Sequence, residues 1–369
     1  QPLDVLREVF GFQAFRPGQD TVIEQLVAGK DVLAIMPTGG GKSLCYQIPA
    51  LVRPGLAIVV SPLIALIKDQ VDALRANGVA AAGLHSGLAR DELMEVYGQL
   101  WRGDLKLLYV APERILLPDF LARLQEIPLA LIAIDEAHCV SQWGHDFRPA
   151  YLKISQLKTA FPKTPFLALT ATATKRVQKD ICESLALENT KFFTKSFSRD
   201  NLAYHVIKTE DKLFKIQQIL TKNPQPSIVY VRNRKACIET SQQLQQLGFT
   251  ATFYHGGLPA KEREKNMQSW LENKAQVMVA TNAFGMGIDK PDVKTVIHIQ
   301  LPENIENYYQ EAGRAGRDGN KAYAILLNSP SDSLQAESQF INNLPDRPFL
   351  NVAYVKLCNY FQIAYRSEE

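Results

Sequence analysis

Cysteine is scarce and scattered. The 369 residues hold five, Cys45, Cys139, Cys182, Cys237 and Cys358, and none lies within four residues of another. That excludes a disulfide framework and the closely spaced thiolate pairs of a structural zinc site, and it argues for reduced thiols inside a cell. No apolar run reaches about 18 residues, so no transmembrane helix is expected. Strong charge of either sign is also missing. A formal net charge of +3 does not announce a nucleic-acid partner, and any basic contacts must be local. The chain opens on Gln1 rather than methionine, which points to a trimmed start whose targeting signals are out of view.

What is present is the composition of a soluble globular protein, 46% hydrophobic and 21% charged. The length exceeds one ordinary domain and predicts two. Short apolar runs, "VLAIM" (32–36), "LAIVVS" (56–61), "KLLYVA" (106–111), "LALIAID" (129–135) and "PFLALTA" (165–171), read as buried strands. A second series follows with "SIVYVR" (227–232), "TATFYH" (250–255), "QVMVAT" (276–281), "KTVIHI" (294–299) and "AYAILL" (322–327). Near-continuous apolar strands alternating with amphipathic helices are the signature of parallel sheets covered on both faces. The fold expected is therefore α/β, two parallel-sheet lobes of five or more strands each. An internal echo supports duplication. "GVAAAGLHSGL" (78–88) and "GFTATFYHGGL" (248–258) share their Gly, His, Gly and Leu positions. The expected division is 1–198, 199–342 and a helical tail, 343–369.

The stretch "MPTGGGKS" (36–43) departs from G-x-x-x-x-G-K-[ST], because Met36 stands where the first glycine belongs. Its context is nevertheless that of a phosphate loop, a buried strand before it and an apolar-periodic helix after it. Thr38, Gly39, Gly40 and Gly41 would turn backbone N–H groups onto phosphates at the helix N-terminus. Lys42 would neutralise the terminal phosphates and Ser43 would hold Mg²⁺. The partner is "LIAIDEAH" (131–138), an apolar strand that ends in two carboxylates on the ligand-binding edge of the sheet. Asp135 would hold Mg²⁺, and Glu136 would orient or deprotonate the attacking water. Loop and carboxylate pair together predict a nucleoside triphosphatase that uses ATP and Mg²⁺. Arg314 and Arg317 in "AGRAGRDG" are three apart, which places them on one helical face, and they suit phosphate oxygens by their planar forks.

"DEAH", with "SPLIALIKDQ" (61–70), "YVAPER" (109–114), "LTATAT" (169–174), "VATNAFGMGIDKP" (279–291) and "YYQEAGRAGRDG" (308–319), resembles the superfamily 2 helicases. "FGFQAFRPGQ" (10–19) and "CVSQWGHDFRP" (139–149) narrow the resemblance to the RecQ family of DNA helicases, over residues 3 to 330. The resemblance implies two RecA-like lobes, ATP-driven movement 3′ to 5′ on single-stranded DNA, and unwinding of tailed duplexes in repair or recombination. It implies that Phe12, Arg16 and Gln19 recognise adenine, the aromatic stacking and the amide pairing with N6 and N7. It makes Arg317 the arginine finger with Arg314 and Gln310 beside it, and it couples single-strand binding to hydrolysis through Trp143, Phe147 and Arg148. Thr170 and Thr172 would link the ATP site to the DNA face. Strand-end loops offer Ser61, Lys68, Arg114, Arg232, Asn233, Thr281 and Asn282 for phosphate contact without base readout. A monomeric core inside the cell, cytoplasmic or nuclear, with no membrane partner, completes the expectation.

His138, Cys139 and His145 lack any paired ligand spacing, and the tail after Asn343 holds one cysteine and no histidine. No zinc is expected in this chain. Metal analysis of the purified protein should return well under one zinc per chain, and a zinc-specific chelator should leave ATP turnover unchanged.

Overall fold

The computed structural model describes residues 1–37, 41–62, 64–141, 148–187, 190–194, 198–284, 290–340 and 345–361. Seven strands build the first sheet: β1 (Val32–Ile35), β2 (Leu56–Val60), β3 (Ala81–Leu84), β4 (Leu107–Val110), β5 (Leu129–Ile134), β6 (Phe166–Thr170) and β7 (Lys191–Thr194). Six build the second: β8 (Leu202–Lys208), β9 (Ser227–Tyr230), β10 (Ala251–Tyr254), β11 (Val277–Ala280), β12 (Thr295–His298) and β13 (Ala322–Asn328). The orders are β3-β4-β2-β5-β6-β1-β7 and β10-β11-β9-β12-β13-β8. Every pairing in both sheets is parallel. Counted within its own lobe, each sheet runs third, fourth, second, fifth, sixth, first. The permutation is the same, and only β7 is extra.

The apolar runs became strands because both faces of each are covered. In the first sheet Leu33, Ile58, Ile132 and Val110 face one core while Val32, Ala34, Val59 and Leu131 face the other. The second sheet alternates likewise, Ile228, Met278 and Val296 against Val229, Val277 and Ile297. The echo noted in sequence has a structural counterpart at the two sheet edges. After β3 the Gly87 N–H donates to His85 Nδ1 at 3.2 Å, and after β10 the Gly257 N–H donates to His255 Nδ1 at 3.2 Å.

Three strands lie outside the apolar runs. β3 is "AAGL", whose alanines and glycine have weak β propensity and reach their place through pairing with β4. β7 and β8 are the edge strands at the other side of each sheet and are largely exposed, so they lack the continuous apolar signature. The tail forms the helix Arg347–Tyr360, which leaves Phe349, Leu350, Val352, Tyr354 and Leu357 exposed. No helix among the described residues is long and apolar enough to cross a membrane.

A buried ion pair fixes the start of the strand that delivers the phosphate loop. Asp31, just before β1, meets Lys158 Nζ at 2.7 Å and also accepts from Phe166 N at 2.9 Å, at the start of β6. Removing the carboxylate strands a nearly buried ammonium and a backbone N–H. Asp31→Ala should lower the unfolding free energy by about 3 kcal/mol. Urea titration would read this as a fall in midpoint at constant slope. A loss below about 1 kcal/mol would mean the pair behaves as a solvent-screened one.

Candidate active site

The loops that follow β1 and β5 leave the carboxyl ends of parallel strands, so they gather at one edge of the first sheet. β1 feeds the phosphate loop. Met36, in place of the usual glycine, is fully buried, continues the ladder by donating its N–H to Thr170 O at 3.0 Å, and packs with Val32, Ala34 and Cys45. The position belongs to the core, which is why a large apolar residue serves there. Thr38, Gly39 and Gly40 lie outside the described residues. Gly41 has φ 73°, and a Cβ on it would come 2.3 Å from Gln19 Nε2. The positive φ favours glycine there. The helix Leu44–Val52 follows, with Ser43 at its N-terminus accepting from Gln47 N at 3.0 Å.

β5 delivers the carboxylates. Asp135 extends the ladder to Val60 O at 2.9 Å, and Glu136 then turns into the left-handed region, φ 48° and ψ 46°. That is a strained backbone for a non-glycine residue. The turn aims Glu136 at Lys42, Oε1 to Nζ 3.8 Å, and at His138 Nδ1, 3.3 Å from Oε2. Asp135 Oδ1 accepts from Glu136 N at 3.0 Å, and the buried Tyr151 hydroxyl donates to Asp135 O at 3.0 Å. Burial, reinforced by the Glu136 charge and offset by Lys42, pushes the Asp135 pKa up to about 6.

A polar chain runs from Glu136 to the second lobe. Thr170 Oγ1 donates to Thr172 O at 3.0 Å, which leaves it to accept from His138 Nδ1 at 2.9 Å. Thr172 Oγ1 in turn accepts from Gln310 Nε2 at 3.5 Å, the outer limit of a hydrogen bond, across the gap between lobes. This path runs from Glu136 to Gln310 through Thr170 and Thr172, with His138 as a member that the sequence alone offered only as a rejected metal ligand. Among the described residues no cluster of His, Cys, Asp and Glu could hold a metal by itself.

One cavity of about 560 Å³ joins these parts, lined by Lys42, Asp135 and Glu136 of the first lobe and Gln310, Arg314 and Arg317 of the second. Phe12, Arg16, Gln19, Gly41 and Ser43 line the same cavity. Phe12 is exposed, free to stack, whereas Phe10 and Phe15 pack on the small core of Leu6, Ile23 and Ile48. Gln19 is almost wholly buried, accepting from Arg16 N at 2.8 Å and donating to Gly41 O at 2.9 Å. Its amide therefore ties the loop at Arg16 to the loop that ends in Gly41.

The helical reading of the two arginines is corrected. The helix Ile305–Ala312 ends at Gly313, and Arg314 and Arg317 lie in the tight turns that follow, shaped by Gly316 at φ 64°. They share the cavity through loop geometry rather than helical spacing.

The strand-end residues proposed for phosphate contact divide by what they do in the fold. Lys68 and Asn282 are exposed and Arg114 is half-buried. Ser61 and Thr281 are buried at the ends of β2 and β11. Arg148 donates to Pro62 O at 3.1 Å, and Arg232 donates to Leu301 O at 3.0 Å. Asn233 caps the helix Arg234–Gln246 by accepting from Ala236 N at 2.8 Å. Trp143, His145 and Phe147 lie outside the described residues. Sequence reasoning missed Tyr151 as well as Arg199 and Asn201, whose side chains hold the arginine loop; the last two follow directly on the expected division between 198 and 199.

The DEAD/DEAH box helicase family matches residues 16–181, and the helicase conserved C-terminal domain matches residues 211–319. The ATP-dependent DNA helicase RecQ of Pasteurella multocida is 43% identical over 356 residues, 96% of this chain and 56% of that protein. That of Haemophilus influenzae is 46% identical over 334 residues, 89% of this chain and 54% of that protein. The chain thus spans just over half the length of these relatives. In fold it is similar to the Saccharomyces cerevisiae Dbp5 structure with RNA and ADP BeF3, with TM-score 0.69, 19% identity, and 91% and 90% of the two chains covered. With both helicase halves matched in order and the relatives aligned along nearly the whole chain, the chain belongs to the RecQ family of helicases.

Proposed function

We propose that the chain hydrolyses ATP in the cleft between its lobes and uses their closure to move along single-stranded DNA, 3′ to 5′, opening duplexes during repair or recombination. The observation that carries this reading is the shared cavity: a lysine and two carboxylates from one lobe face two arginines from the other. Hydrolysis then depends on the lobes being together, which is what couples chemistry to motion. Lys42 would neutralise the terminal phosphates, Glu136 would orient the attacking water and accept its proton, and Arg317 with Arg314 would meet the charge that develops on the transferred group. Gln310, bonded to Thr172 across the gap, would report closure to the first lobe.

Mg²⁺ fits this site. Asp135 is buried, its pKa is raised, and Glu136 adds a second negative charge beside it, a combination a divalent cation neutralises. Asp135 and Ser43 would hold the ion, which would supply charge neutralisation on the phosphates. DNA binding is supported by position. The loops after β2, β4, β9 and β11 carry Ser61, Arg114, Arg232 with Asn233, and Thr281 with Asn282, at equivalent places in the two sheets. The names of the relatives favour DNA over RNA. The division at residue 198 is likewise our reading, supported by β7 pairing in the first sheet and β8 in the second.

Lys42→Ala should abolish ATP turnover with an unchanged circular dichroism spectrum. Glu136→Gln should keep ATP binding while turnover falls about 10²- to 10⁴-fold, the usual scale of a lost general base. Turnover near the parent rate would remove Glu136 from the role of base. Single-stranded DNA, more than single-stranded RNA, should stimulate the parent enzyme. Its affinity should fall with salt at a log–log slope of roughly −0.7 per phosphate neutralised; a flat response would rule out a phosphate track.

A further inference from the structure

Between the two sheets the chain passes through Arg199 and Asn201, and their side chains turn back onto the arginine loop. Arg199 donates through one terminal nitrogen to Gly313 O at 2.9 Å and through the other to Gly316 O. Asn201 Nδ2 donates to the same Gly316 O at 2.7 Å and to Asn320 O at 2.9 Å. The backbone of Asn201 is itself anchored, accepting from Ala322 N at 2.8 Å beside β13. Gly316 leaves no room for a substituent. A Cβ there would stand 2.6 Å from Asn201 Nδ2 and 2.7 Å from Ala322 Cβ, at a positive φ.

The carbonyls held in this way sit on either side of Arg314 and immediately before Arg317. Gly313 caps the helix Ile305–Ala312, so its carbonyl is one of the acceptors that a helix end leaves unsatisfied, and a cation is favoured there. A planar guanidinium reaching two carbonyls at once fixes the turn between them more firmly than a single donor. The strand before this connection packs beside residues that line the cavity, Arg16 and Gln19. Phe193, on β7, packs so closely on Gly18 that a Cβ on the glycine would fall 1.9 Å from the ring. Gly18 lies between Arg16 and Gln19.

We infer that Arg199, assisted by Asn201, is a positioning residue for ATP hydrolysis: it holds the arginine loop so that Arg314 and Arg317 face the cavity. This rests on the ATPase reading above. Its effect should fall on the chemical step rather than on nucleotide binding, because Arg199 does not line the cavity.

The experiment compares Arg199→Ala, Arg199→Gln and Asn201→Ala in the full chain, each checked by thermal unfolding. For Arg199→Ala, kcat should fall about 10- to 100-fold, the scale expected when a catalytic group is displaced by about an ångström, with KM for ATP nearly unchanged. Binding of ADP with aluminium fluoride should weaken in parallel, while binding of ADP alone should not. Arg199→Gln, which keeps one donor, should lie between parent and alanine variant and serves if the alanine variant fails to fold. Added to Arg317→Ala, the Arg199→Ala change should cost little more. An unchanged kcat, or losses that multiply in the double variant, would overturn the inference. A parent chain that turns over no ATP would instead overturn the reading beneath it; the ADP binding measurements distinguish that failure from an inactive preparation.

Discussion

Parallel strand pairing is the constraint on which this molecule depends. Strands that all run one way must deliver all their carboxyl ends to one edge. β1 brings Lys42 there and β5 brings Asp135 and Glu136, with β6 between them supplying Thr170. The ladder places β1 and β5 one strand apart on each side of β6, and the turn at Glu136 then brings its carboxylate 3.8 Å from Lys42. The same rule in the second sheet sends the loops after β9 and β11 to the equivalent edge.

The sequence disclosed most of this where local composition and tertiary fate agree. A strand buried on both faces needs apolar residues throughout, so ten of the thirteen strands among the described residues could be read from their composition. The three that escaped are short or at the edges, where exposure or small side chains erase that signature. The phosphate loop and the carboxylate pair were legible because their chemistry is local to a few residues. Met36 looked like a defect in a motif and is instead a core residue, a distinction that only packing can make. The arginines were identified by type and spacing, but the helix ends before them, and tertiary contacts to the turn carbonyls set their aim. Those contacts come from residues more than a hundred positions away, beyond the reach of any local pattern.

The identical strand permutation in the two lobes gives the internal echo its meaning. His85 and His255 accept the same local hydrogen bond after equivalent edge strands, so the repeated Gly-His-Gly-Leu spacing marks a turn used twice. The two lobes differ in what they bring to the cavity: Lys42, Asp135 and Glu136 come from the first, Arg314 and Arg317 from the second. A cleft between two such copies has unlike faces by construction, which suits a site that must be completed by apposition.

The backbone at Glu136 also limits which sequences can occupy that position. A left-handed residue is comfortable as glycine, and tolerable as asparagine or aspartate. Each of these removes the carboxylate or shortens its reach to Lys42 and His138. Chain length, charge and torsion are thus bound together at one position, and none can be adjusted without the others. Glutamine preserves the length and torsional demand while removing the charge. Tolerance to change at residue 136 is therefore set by conformation as much as by chemistry, and a substitution matrix built on side-chain similarity alone would misjudge it.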